Sequence, residues 1–216
     1  MELNKYIDHT LLKPAALEKD IIKLCGEAKE HHFASVCVNP CNVKTVKKEL
    51  AKSDVKVCSV IAFPFGTQAT EIKVKEAEQA IADGAQEIDM VINVGKLLDG
   101  DLQFTEDEIT RVTKACHARG ALIKVIVETC YLEEKNIADI CSIIEKAGAD
   151  FIKTSTGYGT RGASVEDIKL FKKYLKKDTK IKASGGIRTR ADADTYIGLG
   201  CTRIGTSGGI AIVSGK

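Results

Sequence analysis

Four strand-like segments each carry one charged residue inside an otherwise apolar run. These residues are Asp89, Lys124, Lys153 and Lys182, in the segments EIDMVIN, LIKVIV, FIKTST and KIKAS. Burying a charged group without a partner is costly, so charges at such positions are normally paired. We therefore expect the four side chains to meet in one polar centre. The alternative is that they form ion pairs with a purely structural role.

A centre with several lysines and one carboxylate suits carbonyl chemistry. Two lysines buried close together would lower each other's pKa, because burial and a like charge both disfavour the ammonium form. A neutral amine can attack a carbonyl carbon and form a Schiff base. The iminium is then an electron sink for breaking or making the neighbouring carbon–carbon bond. Asp89 could move protons at the same centre, directly or through water.

Eight strand-like runs alternate with segments of helical period and would position these side chains. The runs cover residues 6–10, 34–39, 55–63, 87–94, 122–128, 150–154, 180–183 and 202–206. Their nearly continuous apolar character indicates burial on both faces, which is typical of a parallel sheet. The pattern predicts a single (β/α)₈ TIM barrel that forms one catalytic domain over residues 1–216. A doubly wound open sheet is the alternative.

Helix boundaries support this arrangement. Glycines 84, 120, 148 and 200 each follow a predicted helix and precede a strand, where a left-handed glycine ends the helix. Asp89 and Lys153 are each the fifth residue after such a glycine. Alternate strands of a barrel contribute side chains to the same layer, so we expect these two residues to share a layer. Ser164, followed by Asp167, predicts the start of another helix.

Glycines and hydroxyl residues follow the last three predicted strands, at 154–157, 184–186 and 205–209. Backbone N–H groups exposed at strand ends bind anions readily. Phosphate binding after the seventh and eighth strands is frequent in this fold. The pattern therefore predicts a phosphate site there, on the same side of the barrel as the charged centre.

Composition excludes several other classes. The 216 residues include 32 basic and 30 acidic residues, a net charge of +2 that predicts no nucleic-acid partner. No apolar run approaches the roughly 20 residues of a membrane helix, and the first residues do not resemble a signal peptide. We therefore expect a cytoplasmic protein with no membrane partner.

The cysteines bear on cofactors. Most of the eight lie in apolar strand or helix patterns, so we interpret them as buried hydrophobic residues and not as disulfides. Cys37 and Cys41 follow His31 and His32 and faintly resemble a metal site. C-x-x-C spacing and a second ligand pair are lacking, so we expect no metal and no other cofactor.

Six segments resemble the deoxyribose-phosphate aldolase family. They are DHT at 8–10, CVNP at 37–40, EIDMVINVG at 87–95, KVIVET at 124–129, KTSTG at 153–157 and KASGGIR at 182–188. The resemblance implies a class I aldolase that needs no metal and reversibly cleaves 2-deoxy-D-ribose 5-phosphate to D-glyceraldehyde 3-phosphate and acetaldehyde. Its partners would be a small phosphorylated sugar and aldehydes. Barrels of this kind commonly form symmetric homo-oligomers, so we expect a dimer or tetramer.

The resemblance also implies individual roles. Lys153 would be the Schiff-base nucleophile, Lys182 would disfavour its ammonium form and assist proton transfer, and Asp89 would donate and accept protons. Asp8 and Lys124 would position the substrate hydroxyls. The other substrate-binding residues would be Thr156, Gly157, Gly185, Gly186, Arg188, Gly205 and Ser207. The sequence differs from the family pattern at Tyr158, where lysine is frequent.

Two further hypotheses remain open at this point. The barrel could bind a phosphorylated sugar without catalysis, with the lysines as ionic ligands, or it could be an isomerase or lyase of another phosphosugar.

Overall fold

Eight parallel strands close into a barrel in the computed structural model, which describes residues 2–215. The strands are β1 (Ile7–Leu11), β2 (Ser35–Val38), β3 (Lys56–Ile61), β4 (Glu87–Val91), β5 (Leu122–Ile126), β6 (Phe151–Lys153), β7 (Lys180–Ser184) and β8 (Arg203–Thr206). Each strand pairs with its neighbours in sequence, and β8 returns to β1. The barrel prediction is confirmed, and the open-sheet alternative is wrong.

Nine α-helices accompany the strands within the described residues. They are α1 (Glu18–Glu30), α2 (Val43–Glu49), α3 (Thr70–Ala82), α4 (Val94–Leu98), α5 (Leu102–His117), α6 (Glu134–Ala147), α7 (Val165–Tyr174), α8 (Arg190–Gly198) and α9 (Gly209–Val213). The apolar faces of the helices pack on the outward faces of the strands and form the main hydrophobic core. Across residues 2–215, no helix is long and apolar enough to cross a membrane.

The predicted helix boundaries are confirmed where local chemistry defines them. The four glycines that follow helices all have a positive φ, between 72° and 119°. Ser164 accepts a hydrogen bond from Asp167 N, and the Asp167 side chain accepts one in return from Ser164 N, which completes a capping box at the start of α7.

One predicted strand is shorter than expected. The strand expected at 87–94 ends at Val91, because the Asn93 side chain accepts a hydrogen bond from Lys96 N and starts α4. Gly200 predicts the end of a helix, and α8 is that helix; its apolar period is weak because Ala193 is its one buried residue.

Strand register determines which charged side chains meet. Asp89 lies beside Lys124 across β4 and β5, and Lys153 lies beside Lys182 across β6 and β7. Paired positions in a parallel sheet point to the same face. All four residues are buried, with a relative exposure of 3% for Lys153 and 0% for the others. The charges therefore point into the barrel, as expected.

Candidate active site

Asp89 is the hub of the charged centre. Its Oδ2 lies 2.7 Å from Lys153 Nζ and 2.7 Å from Lys182 Nζ, and its Oδ1 lies 2.8 Å from Lys124 Nζ. One carboxylate on β4 thus contacts three amines on β5, β6 and β7. The prediction that the four side chains meet, and that Asp89 and Lys153 share a layer, is confirmed.

A second layer of charges lies at the amino-terminal ends of the strands. Asp8 Oδ2 lies 2.5 Å from Lys182 Nζ, and Asp8 Oδ1 accepts a hydrogen bond of 2.6 Å from Arg203. Glu87 accepts bonds of 2.8 and 2.9 Å from the Arg203 guanidinium and lies 2.6 Å from Lys124 Nζ. We call the seven residues the charged network; its members are Asp8, Glu87, Asp89, Lys124, Lys153, Lys182 and Arg203.

Mutual pairing stabilises the ionised forms in this network. Burial alone would raise the pKa of Asp89, but the amines of Lys124, Lys153 and Lys182 outweigh it and hold that pKa well below its usual value. Burial would lower the pKa of Lys124, yet the carboxylates of Asp89, Glu87 and Asp8 raise it.

This result corrects one expectation. We expected two buried lysines to lower each other's pKa. Burial does act in that direction on Lys182, but Asp8 and Asp89 outweigh it and raise the pKa of Lys182 above its ordinary value. The ammonium form of Lys182 is therefore favoured, because two carboxylates contact it and one more amine does not offset them.

A cleft of about 370 Å³ opens at the carboxyl-terminal ends of the strands. Of the three lysines in the charged network, Lys153 alone lines it; Lys124 and Lys182 are completely buried. Lys153 is thus the amine that a substrate can reach, and its Nζ remains in contact with the Asp89 carboxylate.

The predicted substrate-binding residues fall into two groups. Seven of them line the cleft, namely Thr156, Gly157, Gly185, Gly186, Arg188, Gly205 and Ser207. Asp8 and Lys124 do not, and both are completely buried among charged partners. The expectation that they position substrate hydroxyls stays a prediction.

Glycine is required where the cleft wall comes close to Lys182. A Cβ atom at Gly205 would lie 3.1 Å from Lys182 Cε and 2.9 Å from Ser184 Cβ. Gly205 on β8 therefore leaves the space through which the Lys182 side chain passes. A Cβ at Gly162 would lie 2.1 Å from Gly185 O, which shows how tightly the two loops pack.

The loop after Lys153 is held from two sides. Glu128 is buried, accepts a hydrogen bond of 3.1 Å from Thr156 N and accepts another from the Thr156 hydroxyl. Tyr158 donates its hydroxyl to Leu12 O at 3.0 Å, and its ring packs edge-on against Phe63. Tyr158 therefore closes one wall of the cleft and ties the β6 loop to the β1 loop.

Sequence reasoning missed several residues of this site. Lys13 lines the cleft without any signal in the sequence, whereas Ser184 and Thr206, which also line it, belong to the predicted phosphate loops at 184–186 and 205–209. Glu87 and Arg203 belong to the charged network but stand at the first positions of β4 and β8. A charge at the start of a strand usually reaches solvent, so the signal that identified Lys153 is weak there.

The faint metal motif is not assembled. Cys41 is exposed, whereas Cys37 is buried in the barrel. Among residues 2–215, the potential ligands that do come together are Cys37, Cys58 and Asp89, within 4.8 Å of one another. The Asp89 oxygens already contact three amines, so a cation there would face strong repulsion.

Comparison with known proteins assigns the chain to a protein family. A model of the DeoC/LacD family aldolases matches residues 3–208. The chain belongs to that family. A deoxyribose-phosphate aldolase of Treponema denticola is 80% identical over 216 residues, and the match covers 100% of both chains. The family resemblance seen in the sequence is thereby confirmed.

Solved structures of DeoC/LacD-like aldolases share the fold. An aldolase called QR15 superposes with a TM-score of 0.94 at 43% identity, over 99% of this chain and 95% of that one. A deoxyribose phosphate aldolase of Aeropyrum pernix, described as tetrameric, has a TM-score of 0.91 at 33% identity, over 98% of this chain and 89% of that one.

Proposed function

We propose that this protein reversibly cleaves 2-deoxy-D-ribose 5-phosphate to D-glyceraldehyde 3-phosphate and acetaldehyde through a Schiff base on Lys153. One observation supports this most directly: Lys153 is the buried lysine that lines the cleft, and its Nζ lies 2.7 Å from the Asp89 carboxylate. The 80% identical relative that bears the name of this aldolase supports the substrate.

The reaction begins with attack of the neutral Lys153 amine on C1 of the open-chain sugar. The carbinolamine loses water and becomes an iminium, which lowers the energy of a carbanion at C2. Removal of the C3 hydroxyl proton then breaks the C2–C3 bond. The bonding electrons move into the iminium and form an enamine, and D-glyceraldehyde 3-phosphate leaves.

The second half releases acetaldehyde. C2 of the enamine takes a proton, and water hydrolyses the resulting iminium to free the Lys153 amine. Protons must therefore move at several steps beside Lys153 Nζ, and Asp89 is the carboxylate in contact with that atom. We assign Asp89 the proton transfers, either to the nitrogen itself or through a water in the cleft.

Lys182 contacts Asp89 and not the cleft, so its role is indirect. Its ammonium group lies 2.7 Å from Asp89 Oδ2 and keeps that carboxylate ionised beside Lys153. Asp8 and Lys124 serve in the same network by holding Lys182 and Asp89 in position.

We assign the phosphate of the substrate to the part of the cleft that is lined by residues at the ends of β7 and β8. Gly185, Gly186, Arg188, Gly205 and Ser207 lie there and offer a guanidinium, a hydroxyl and backbone N–H groups. Such groups stabilise phosphate by charge-assisted hydrogen bonds. Thr156 and Gly157 border the same cleft, next to Lys153.

We also propose that the chain is one catalytic domain that acts in the cytoplasm as a homo-oligomer. The tetrameric aldolase of Aeropyrum pernix supports the assembly. Light scattering on the purified protein should give a multiple of the monomer mass of 23.3 kDa; a monomer at micromolar concentration would contradict it.

A substrate panel tests the function. The protein should release acetaldehyde from 2-deoxyribose 5-phosphate, with much lower kcat/KM for 2-deoxyribose and ribose 5-phosphate. Arg188→Ala should raise KM for the phosphorylated sugar and leave the rate with unphosphorylated 2-deoxyribose unchanged. Tight binding without cleavage would favour a sugar-phosphate sensor, and turnover of another phosphosugar alone would indicate a different lyase or isomerase.

A further inference from the structure

The charged network contains one more basic group than it contains carboxylates. Its three carboxylates are Asp8, Glu87 and Asp89, and its four basic groups are Lys124, Lys153, Lys182 and Arg203. If all seven groups were ionised, one positive charge would remain in excess inside the barrel. A buried uncompensated charge is strongly unfavourable. The network is neutral when one base loses its proton, and Lys153 is the base that the cleft exposes.

Arg203 is connected to Lys153 through two chains of contacts. One runs from Arg203 through Glu87 and Lys124 to Asp89, with contacts of 2.8, 2.6 and 2.8 Å. The other runs through Asp8 and Lys182, with contacts of 2.6, 2.5 and 2.7 Å. Both chains end on the carboxylate that holds Lys153.

We infer that Arg203 and Glu87, at the amino-terminal ends of β8 and β4, set the pH at which the Lys153 amine becomes reactive. With Arg203, Lys124 and Lys182 charged, three positive charges already balance the three carboxylates. An ammonium at Lys153 would therefore be the excess positive charge. Glu87 opposes the charge of Arg203 with one negative charge. Neither residue lines the cleft, so both act as positioning residues through the network. The inference rests on the proposed role of Lys153 as the attacking amine.

The surroundings of Arg203 keep its guanidinium charged and largely shielded from water. Its side chain is 14% exposed, and its guanidinium lies over the Phe151 ring, 5.8 Å from the centroid. Burial would lower its pKa, but Asp8 and Glu87 raise it, so the charge is permanent at working pH. A fixed charge in a water-poor position acts over a longer distance than a surface charge does.

Other titratable groups surround the network and stay constant in the test. Cys58, on β3, donates its thiol to Asp89 at 3.2 Å, and Cys37 lies beside it on β2. On its outer side, Arg203 shares a surface pocket with four other charged residues, namely Lys5, Asp54, Lys56 and Lys180. Because none of these groups is altered, a change in pH dependence reports the charge that was removed.

The expected size follows from distance. Register places Arg203 beside Lys182 and Lys182 beside Lys153, so Arg203 is two strands away. Two interstrand spacings are about 10 Å. One unit charge at that distance, with an effective dielectric constant of about 20, shifts a neighbouring protonation midpoint by about one pH unit.

The test measures the rate at which cyanoborohydride and acetaldehyde label Lys153 as a function of pH. Arg203→Gln removes a positive charge and should move the acid limb up by about one pH unit. Glu87→Gln should move it down by a similar amount. The double variant Glu87→Gln/Arg203→Gln should return it close to the wild-type position, and Arg203→Lys, which keeps the charge, should leave it there.

Three results would overturn the inference. They are an unmoved acid limb in both single variants, a shift of the same sign in both, or an equal shift in Arg203→Lys and Arg203→Gln, which would indicate altered packing. If Arg203→Gln does not fold, Glu87→Gln and the charge-balanced double variant still decide by the sign of their shifts. Absence of label on wild-type Lys153 would instead contradict the proposed function itself.

Discussion

Among residues 2–215, two groups of buried ion pairs show opposite pKa shifts. One is the charged network inside the barrel. The other is the pair Lys73–Glu108, which joins α3 and α5 outside the sheet with an N–O distance of 2.7 Å. In the outer pair burial dominates, so the pKa of Lys73 is lowered and that of Glu108 is raised. In the network, the pKa of Lys124 is raised and that of Asp89 is lowered.

The number of partners explains the difference. Asp89 contacts three amines, whereas Glu108 contacts one. The outer pair instead bonds to the backbone: Lys73 donates to Val91 O, and Glu108 accepts from Asn93 N, both at 2.9 Å. It therefore fixes the end of β4. A close buried ion pair does not by itself indicate catalysis. A catalytic role is indicated when several buried charges pair with one another and one of their amines lines a cleft.

The largest effect should come from removing the amine on the cleft. Lys153→Met should reduce kcat on the order of 10⁴-fold or more, because no other base of the network reaches the substrate. It should not lower the thermal midpoint, since the network keeps three carboxylates and three bases. Lys173→Met, at an exposed ion pair with Glu134, is the control for losing a lysine. Retained cleavage in Lys153→Met would contradict the assignment.

Breaking the outer pair should affect stability and not chemistry. Lys73→Met leaves Glu108 buried without its partner and should lower the free energy of unfolding by about 3–5 kcal/mol. Urea unfolding measures this, while kcat should stay within about twofold, a change below roughly 0.5 kcal/mol. The double variant Lys73→Met/Glu108→Leu should recover much of the stability. A large fall in kcat at wild-type stability would overturn this structural interpretation.

A smaller effect is expected at the glycine beside Lys182. Gly205→Ala places a methyl group against Lys182 Cε and should cost about 1–3 kcal/mol through overpacking. It should also lower kcat, because Lys182 is pushed from Asp89. Gly26→Ala, in α1 with open space around its Cα, is the matched control and should be neutral or slightly stabilising. Equal stability of the two variants would show that the site relaxes freely.

The smallest effect is the pH dependence of stability. The folded-state pKa of Asp8 is below its ordinary value, so its stabilising contribution is complete above about pH 4 and is lost as pH falls. Asp8→Asn should therefore reduce the acid slope of the unfolding free energy by up to about 1.4 kcal/mol per pH unit.

Glu108 should act in the opposite direction. Its raised folded-state pKa means that the folded protein takes up a proton before the unfolded chain does, so this group contributes relative stability as pH falls through that pKa. Glu108→Gln removes the contribution and should steepen the acid slope. Urea titrations across the acid range give both slopes, and changes of the same sign would contradict the comparison.

The sequence predicted the fold and the centre of the site because both depend on local patterns. Alternating strand and helix periods, and helix-ending glycines such as Gly148, indicate a barrel without knowledge of any contact. A lysine inside an apolar strand, as at Lys153, identifies an inward charge. The glycine loops at 185–186 and 205–209 likewise identified the cleft.

Features that depend on contacts between distant residues could not be predicted in this way. Arg203 and Glu87 look like ordinary strand-end charges until barrel closure brings them together across 116 residues of sequence. The pKa of Lys182 was expected in the wrong direction because its two carboxylate partners, Asp8 and Asp89, come from β1 and β4. Lys73 and Glu108 sit within helical patterns, where charges usually face solvent.

Schiff-base formation on Lys153 is tested most directly by mass spectrometry of the protein after reduction with borohydride in the presence of acetaldehyde. We expect one added ethyl group on the peptide that carries Lys153, no label on peptides that carry Lys124 or Lys182, and no label in Lys153→Met. Labelling of Lys182 or Lys124, or an unlabelled protein that still cleaves 2-deoxyribose 5-phosphate, would contradict it.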